Sequence, residues 1–180
     1  MIVLSTRYFH TIDYDKFWGF YMPEMTLLGW FHTIFGVGAL LSGFYTLFTY
    51  KIISIINFSA RLYLCLTLVV AVSALGIYNQ GGFGVAHVLA VLTLIAIAGG
   101  FVMEHYKIFG GMSKYFQALG YTSTLLFHMI PAITDFLRRL PIGDPFIESF
   151  EDPLLMNFHL SFLLVYLIGL SYQIYFLRQQ

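Results

Sequence analysis

The stretch that decides the fold is LYLCLTLVVAVSALGIYNQGGFGVAHVLAVLTLIAIAGGFVM (residues 62–103), in which no Asp, Glu, Lys or Arg occurs. A helix needs about 20 apolar residues to cross a bilayer, so this run is long enough for two helices. Its middle reads NQGGFG (residues 79–84), a cluster of turn residues that indicates where one helix ends and the next begins. The stretch therefore predicts a helical hairpin within a membrane.

The composition of the whole chain is typical of a membrane protein. Of its 180 residues, 59% are apolar and 10% are charged, whereas soluble domains have about 25% charged residues. The formal net charge is zero, so no global basic field favours nucleic acid as a partner. The single cysteine, Cys65, excludes an internal disulfide and a multi-cysteine metal site.

Further uncharged runs extend the pattern to an all-α integral membrane bundle of five transmembrane helices. Their approximate bounds are 25–50, 58–78, 85–103, 113–137 and 153–177. Helices satisfy their own backbone hydrogen bonds, as lipid requires. Residues 1–24 mix charged and aromatic side chains without the pattern of a signal peptide, which predicts a segment lying at the membrane interface. Residues 25–180 are then expected to form a single transmembrane domain.

The distribution of charge suggests an orientation, since five helices place the two termini on opposite sides. One side carries five of the nine basic residues: Lys51, Arg61, Lys107, Lys114 and Arg178. Its only acidic residue is Glu104, whereas the other side has four basic and eight acidic residues. Under the positive-inside rule we expect the first side to face the cytoplasm, with the N-terminus outside and the C-terminus cytoplasmic. The predicted location is the bacterial inner (cytoplasmic) membrane.

Four histidines fall in one leaflet of this predicted bundle: His32, His87, His128 and His159. Neutral imidazole binds haem iron well, and a bis-histidine haem needs two histidines on facing helices. No carboxylate lies deep in these helices, which favours haem b over a carboxylate-bridged dimetal centre. We therefore predict one b-type haem in the outer leaflet, with two of these histidines as axial ligands and His32 and His128 preferred. For each histidine a purely structural role remains the alternative.

The fourth predicted helix carries several residues that are costly in lipid, in the stretch LLFHMIPAITDFLRRLP (residues 125–141). Pro131 removes the amide that would bond the carbonyl of Phe127 and is expected to bend the helix near the preceding histidine. Asp135 lies two turns beyond that histidine on the same face, where it would orient a neighbouring imidazole or accept a proton. Arg138 and Arg139 suit haem propionates or quinone head groups, although the role of ordinary interface anchors is favoured.

Two helix faces permit both a cofactor and a packing interpretation. In the first predicted helix, Gly29, Gly36 and Gly43 allow either close helix approach or room for a flat macrocycle. In the fifth, Tyr166 shares a face with His159 and Gln173, which indicates either a polar lining or hydrogen bonds between helices.

Four motifs together resemble a known protein family: FHTIFGVGALLSG (31–43), ARLYL (60–64), GGFGVAHVLAVLTL (81–94) and LFHMIPAITDFLRRLP (126–141). They are similar to an uncharacterised family of bacterial multi-pass membrane proteins that carries a domain of unknown function. The resemblance covers the first four helices and implies a helical membrane fold. Where that family often has a His-Arg pair, this chain has Ile56 and Asn57, and a later family histidine is replaced within GGMSK (110–114).

Three functions follow from these patterns, with membrane lipids and other membrane subunits as expected partners. The first is a small integral subunit of a respiratory or photosynthetic-type complex, with haem for electron transfer. The second is a cofactor-free accessory or assembly subunit that packs against lipid, pigment or partner helices. The third is a quinone- or lipid-binding membrane protein. Neither GxSxG nor HExxH occurs, so no hydrolase is predicted.

Overall fold

The computed structural model describes residues 25–78 and 82–180, and every regular element within them is helical. The five main helices are α1 (Leu27–Tyr50), α2 (Phe58–Ala74), α3 (Val85–Tyr106), α4 (Ser113–Arg139) and α5 (Pro153–Arg178). A 3-10 turn, Gly110–Met112, precedes α4. The predicted interfacial segment 1–24 and residues 79–81 of the predicted turn lie outside the described residues.

The largest difference from the sequence prediction is the end of α2, which stops at Ala74 rather than at residue 78. Two tighter backbone bonds close its last turn, from Gly76 N–H to the Ser73 carbonyl and from Ile77 N–H to the Ala74 carbonyl. Such i to i−3 bonds are typical of a helix terminus. In the other direction, α3 continues three residues beyond its predicted end, to Tyr106.

The helices pack mainly as sequential hairpins, with α4 as the central member. Its main contacts are with α1, α3 and α5, while α2 packs mainly against α1 and α3. Eight residues of α4 are buried, compared with three of α5, which packs chiefly against α4. We call the two ends of the bundle the Glu104 end, where α1, α3 and α5 finish, and the Asp135 end, where α2 and α4 finish.

Small residues bring the helices close together in the half of the bundle toward the Glu104 end. A Cβ added at Gly120 of α4 would stand 2.9 Å from the Ala96 carbonyl oxygen of α3. One added at Gly43 of α1 would stand 2.8 Å from the Tyr63 ring of α2. Lipid supplies no hydrophobic force between helices, so such close packing is a main source of their association.

The predicted glycine face of α1 is only partly a contact surface. Gly43 is buried against Tyr63, but a Cβ at Gly36 would meet nothing within 4 Å. At Gly29 the nearest atoms are those of Met25 and Thr26, at the start of the same helix. The packing interpretation therefore holds at one of the three glycines.

The outer surface of the bundle is strongly apolar and indicates membrane association. Three helices, α1, α3 and α5, are long and apolar enough to cross a membrane. The shorter α2 is also apolar, with 17 residues. Many large side chains on these helices are exposed, for example Leu41, Ile95 and Ile168. Contact with lipid explains this exposure, because in water such patches are rare.

Candidate functional site

A cavity of about 320 Å³ opens at the Asp135 end, between the start of α1, the chain just after α2 and the end of α4. Three of its lining side chains are titratable or charged: His32, Asp135 and Arg139. Met25 and Ile77 contribute apolar wall. The volume is at the lower end of the roughly 300–1,000 Å³ of small-molecule sites, and the lining is more polar than is typical of them.

The ring of His32 is held in one orientation by α2. Its Nδ1 lies 3.0 Å from Ser73 Oγ, and that hydroxyl donates its single proton to the Val70 carbonyl at 3.0 Å. With that proton directed at Val70, Ser73 accepts from Nδ1–H. In this tautomer Nε2 retains its lone pair, which is free to accept a hydrogen bond or to bind a metal.

Asp135 and Arg139 form a loose pair one turn apart on α4. The distance from Arg139 Nε to Asp135 Oδ1 is 3.7 Å, and the aspartate side chain is 64% exposed. Exposed ion pairs of this kind stabilise a fold by about 0–1 kcal/mol, so both groups remain available to a ligand. Arg138 is directed elsewhere, because its guanidinium lies over the Phe150 ring at 3.9 Å.

His128 is buried in α4 and does not line the cavity. Its Nδ1 lies 3.2 Å from the carbonyl oxygen of Thr124, to which only a ring N–H can donate. This arrangement leaves the lone pair on Nε2, as in many metal-binding histidines. The helix continues through Pro131 without a break.

His87 instead caps the N-terminus of α3. Its Nδ1 accepts the Gly84 amide at 3.1 Å, so in the neutral ring the hydrogen is on Nε2. The ring is 4% exposed and lies between Tyr78 and Phe83, with centroid distances of 4.6 and 5.0 Å. Because Nε2–H has no lone pair for iron, this geometry favours the helix-capping role, and iron binding at His87 stays a prediction.

The polar face of α5 forms hydrogen bonds to α4. His159 Nε2 lies 3.2 Å from Thr134 Oγ1, and Tyr166 OH lies 2.8 Å from Ser123 Oγ. Gln173 completes the face by accepting from Thr122 Oγ1 at 2.8 Å. Of the two interpretations of this face, hydrogen bonding between helices is therefore the one observed.

The four histidines consequently have separate partners. Within the described ranges 25–78 and 82–180, no group of three or more His, Cys, Asp and Glu side chains is arranged to hold a metal ion. His32 and His128, on the contacting helices α1 and α4, share the feature that matters for haem, a free Nε2. Asp135 joins His32 at one cavity.

The sequence interpretation missed the polar centre at the opposite end. Glu104 accepts a hydrogen bond from Ser54 Oγ at 2.6 Å and a bifurcated one from the Ile55 amide at 3.0 and 3.3 Å. It thereby fixes the loop between α1 and α2. One signal was present in the sequence, since Glu104 is the only acidic residue on a side with five basic ones.

No known protein family matches this chain, and neither a curated protein nor a solved structure is significantly similar to it. The resemblance to the uncharacterised bacterial family therefore stays a prediction. Function therefore has to be inferred from the geometry and chemistry of the site itself.

Proposed function

We propose that the protein is a multi-pass integral membrane protein that binds the head group of a quinone in the cavity at the Asp135 end. The observation that carries this proposal is the meeting of His32, Asp135 and Arg139 around one cavity of about 320 Å³. One side of the cavity is the start of α1, a helix apolar enough to cross a membrane, so a ligand dissolved in the bilayer would reach the cavity from that side.

The proposal includes five membrane crossings, with the N-terminus outside and the C-terminus in the cytoplasm. Three crossings are α1, α3 and α5, and the sequential packing of α2 and α4 between them supports the other two. The basic side chains at the Glu104 end support a cytoplasmic position for that end of the bundle. The cavity would then open toward the outer surface of a bacterial inner membrane.

The chemistry of the lining residues suits a quinone. A quinone presents two carbonyl acceptors, and Arg139 supplies N–H donors that are only loosely engaged by Asp135. Its reduced form presents hydroxyl donors, for which His32 Nε2 and the Asp135 carboxylate are acceptors. The apolar walls at Met25 and Ile77 suit the ring. The same residues would therefore bind both forms of the carrier.

A fluorescence titration with the reduced carrier, decylubiquinol, under anaerobic conditions tests this proposal. Trp30 follows Gly29, which lines the cavity, and replacing the second tryptophan (Trp18→Phe) makes Trp30 the sole reporter. We expect His32→Ala and Asp135→Ala each to weaken binding about fivefold, as loss of one hydrogen bond of about 1 kcal/mol predicts. His105→Ala, exposed at the opposite end, is the matched control. The quinone is rejected if all variants bind the probe with equal affinity. It is also rejected if phosphatidylethanolamine alone displaces the probe from the protein.

A b-type haem between His32 and His128 is the second candidate, which would make the protein an electron-transfer subunit. The observation that favours it is that both rings have Nδ1 engaged and Nε2 free. A haem would supply one-electron chemistry there, while Ser73 and the Thr124 carbonyl would orient the two imidazoles. A reduced-minus-oxidised spectrum with a pyridine haemochrome assay decides this, and absence of both iron and an α band would exclude it.

If the protein binds neither a quinone nor a haem, the cofactor-free accessory role is the remaining function. Its supporting observation would be co-purification with a larger membrane complex whose assembly is unaffected by substitution of His32 and His128. The extensive apolar surface of α5, exposed on all faces but the one against α4, suits such a partner as well as it suits lipid.

A further inference from the structure

We propose that the Glu104 end binds the phosphate of an anionic phospholipid. The site is a second cavity, of about 340 Å³, between the end of α3 and the start of α4. Its lining includes Lys107, Ser113 and Lys114. This site is separate from the quinone cavity and does not depend on it.

Charge is the first argument, because this end has an excess of positive charge that its one acid does not neutralise. Glu104 also lines the cavity, but its carboxylate is engaged by Ser54 and Ile55. Within residues 25–78 and 82–180, neither Lys107 nor Lys114 lies within ion-pair distance of a carboxylate. Basic pockets between membrane helices on the cytoplasmic side are typical binding sites for anionic lipid head groups.

Hydrogen-bonding capacity is the second argument. Lys114 Nζ donates one bond, to the Leu177 carbonyl, and two of its three N–H groups remain free for phosphate oxygens. Ser113 Oγ accepts from the Phe109 amide at 2.9 Å, so its own hydroxyl proton is free to donate. Lys107 follows the last residue of α3 as its C-cap, in a left-handed conformation, and its side chain is exposed. Phosphate, with only acceptor oxygens when fully ionised, complements this set of donors.

The space above the turn is the third argument. Gly110 has a φ of +54°, which favours glycine, and a Cβ at Gly110 or Gly111 would meet nothing within 4 Å. The turn therefore leaves open space beside the two lysines, where a head group can approach the backbone.

An apolar rim identifies the source of the phosphate as a lipid rather than a free anion. Ile108, Phe109 and Met112 lie next to the lysines in sequence and are 59%, 55% and 60% exposed. Exposed apolar side chains mixed with lysine, at the end of membrane-spanning helices, match the boundary between acyl chains and head groups. A phospholipid would satisfy both halves of this surface at once.

Calorimetric titration of the full chain in neutral detergent tests the inference, with short-chain phosphatidylglycerol, short-chain phosphatidylcholine and inorganic phosphate as separate probes. We expect phosphatidylglycerol to bind more tightly than the other two. Lys107→Gln should weaken that binding about fivefold, since one basic residue near an anionic lipid contributes about that factor. The matched control is Arg61→Gln, an exposed charge at the same end that does not line the cavity.

Each alternative result has a defined meaning. If inorganic phosphate binds as tightly as phosphatidylglycerol, the site is not a lipid site. If Arg61→Gln weakens binding as much as Lys107→Gln, the attraction is a general field and the cavity is not the site. Lys114→Gln is the second variant. Because it also removes the hydrogen bond to the Leu177 carbonyl, its thermal midpoint is measured to check that it folds. If the double variant Lys107→Gln/Lys114→Gln folds and still binds phosphatidylglycerol with unchanged affinity, the proposal is overturned.

Discussion

Glu104 and Asp135 lie at opposite ends of the bundle, and their carboxylates differ in how many hydrogen bonds they accept. Glu104 receives hydrogen bonds from Ser54 and Ile55 and so joins α3 to the loop between α1 and α2. Asp135 has one loose contact, at 3.7 Å to Arg139 on its own helix, and lines an open cavity. A carboxylate whose acceptors are filled holds structure, whereas one with unfilled acceptors remains available for a ligand.

The packing around each carboxylate follows the same division. Toward the Glu104 end, glycines let helices approach within van der Waals contact of each other's backbones. Toward the Asp135 end, α2 stops early and leaves the space that becomes the cavity. We therefore expect the Glu104 half to be sensitive to substitution and the Asp135 half to be tolerant in stability but sensitive in binding.

The largest expected effect is the separation of α3 from α4 by Gly120→Val. The new Cβ would stand 2.9 Å from the Ala96 carbonyl oxygen, and backbone cannot move aside as a side chain can. Overpacking costs about 1–3 kcal/mol, and we expect the upper part of that range. The measurement is the free energy of unfolding in SDS. Gly99→Val is the control, because a Cβ there meets nothing within 4 Å, and an equal loss in both would contradict the close approach.

The second effect compares the two carboxylates directly. Glu104→Ala should lower the free energy of unfolding by about 2 kcal/mol, because Ser54 and Ile55 lose a charged acceptor. Asp135→Ala should lower it by less than about 1 kcal/mol, because its pair is exposed. SDS unfolding of the two variants side by side checks this, and equal losses would remove the distinction between the ends.

A smaller effect is expected from Tyr63→Phe in the tightly packed half. The Tyr63 hydroxyl hydrogen-bonds Thr124 Oγ1 between α2 and α4, and both side chains are fully buried. Loss of the hydroxyl should cost about 1 kcal/mol. Tyr45→Phe, at an exposed site on α1, should change the thermal midpoint very little. If the two variants behave alike, the buried hydrogen bond contributes nothing measurable.

The smallest effect is expected where α5 joins α4. Gln173→Leu removes the hydrogen bond from Thr122, and bonds between membrane helices contribute about 0.6 kcal/mol on average. Ser171→Ala is the control, since that hydroxyl bonds only the Leu167 carbonyl of its own helix. Differential unfolding of the pair checks the prediction, and a greater loss in the control would refute it.

The helices were predictable because the cost of charge in lipid makes the uncharged runs visible in the sequence. Each predicted helix is present, with ends displaced by a few residues, most at α2, where the turn around Gly76 was not recognised. The partners of the histidines were not predictable in the same way. They depend on how each helix is rotated, and the rotation is set by contacts such as Gly43 with Tyr63 that are distant in sequence.

The candidate site was predicted only in part. Asp135 and His32 were both selected, but their meeting at one cavity depends on the early end of α2 and on the register of α1 against α4. For His87, the spacing from Gly84 was visible in the sequence, and its capping geometry required the structure. The helices α1, α3 and α5 are long and apolar enough to cross a membrane, but the number of crossings stays a prediction, as does the orientation of the termini.

The hydrogen bonds of α5 also determine how far it can slide. On α5 the three bonding residues are evenly spaced, seven apart, at His159, Tyr166 and Gln173. On α4 their partners at 134, 123 and 122 are unevenly spaced. A slip of α5 by one helical turn would therefore misalign all three bonds together, and no second alignment restores them. Apolar leucines on the outer surface fit any alignment equally well. The uneven spacing of the hydrogen-bond partners therefore fixes a single register of α5 against α4.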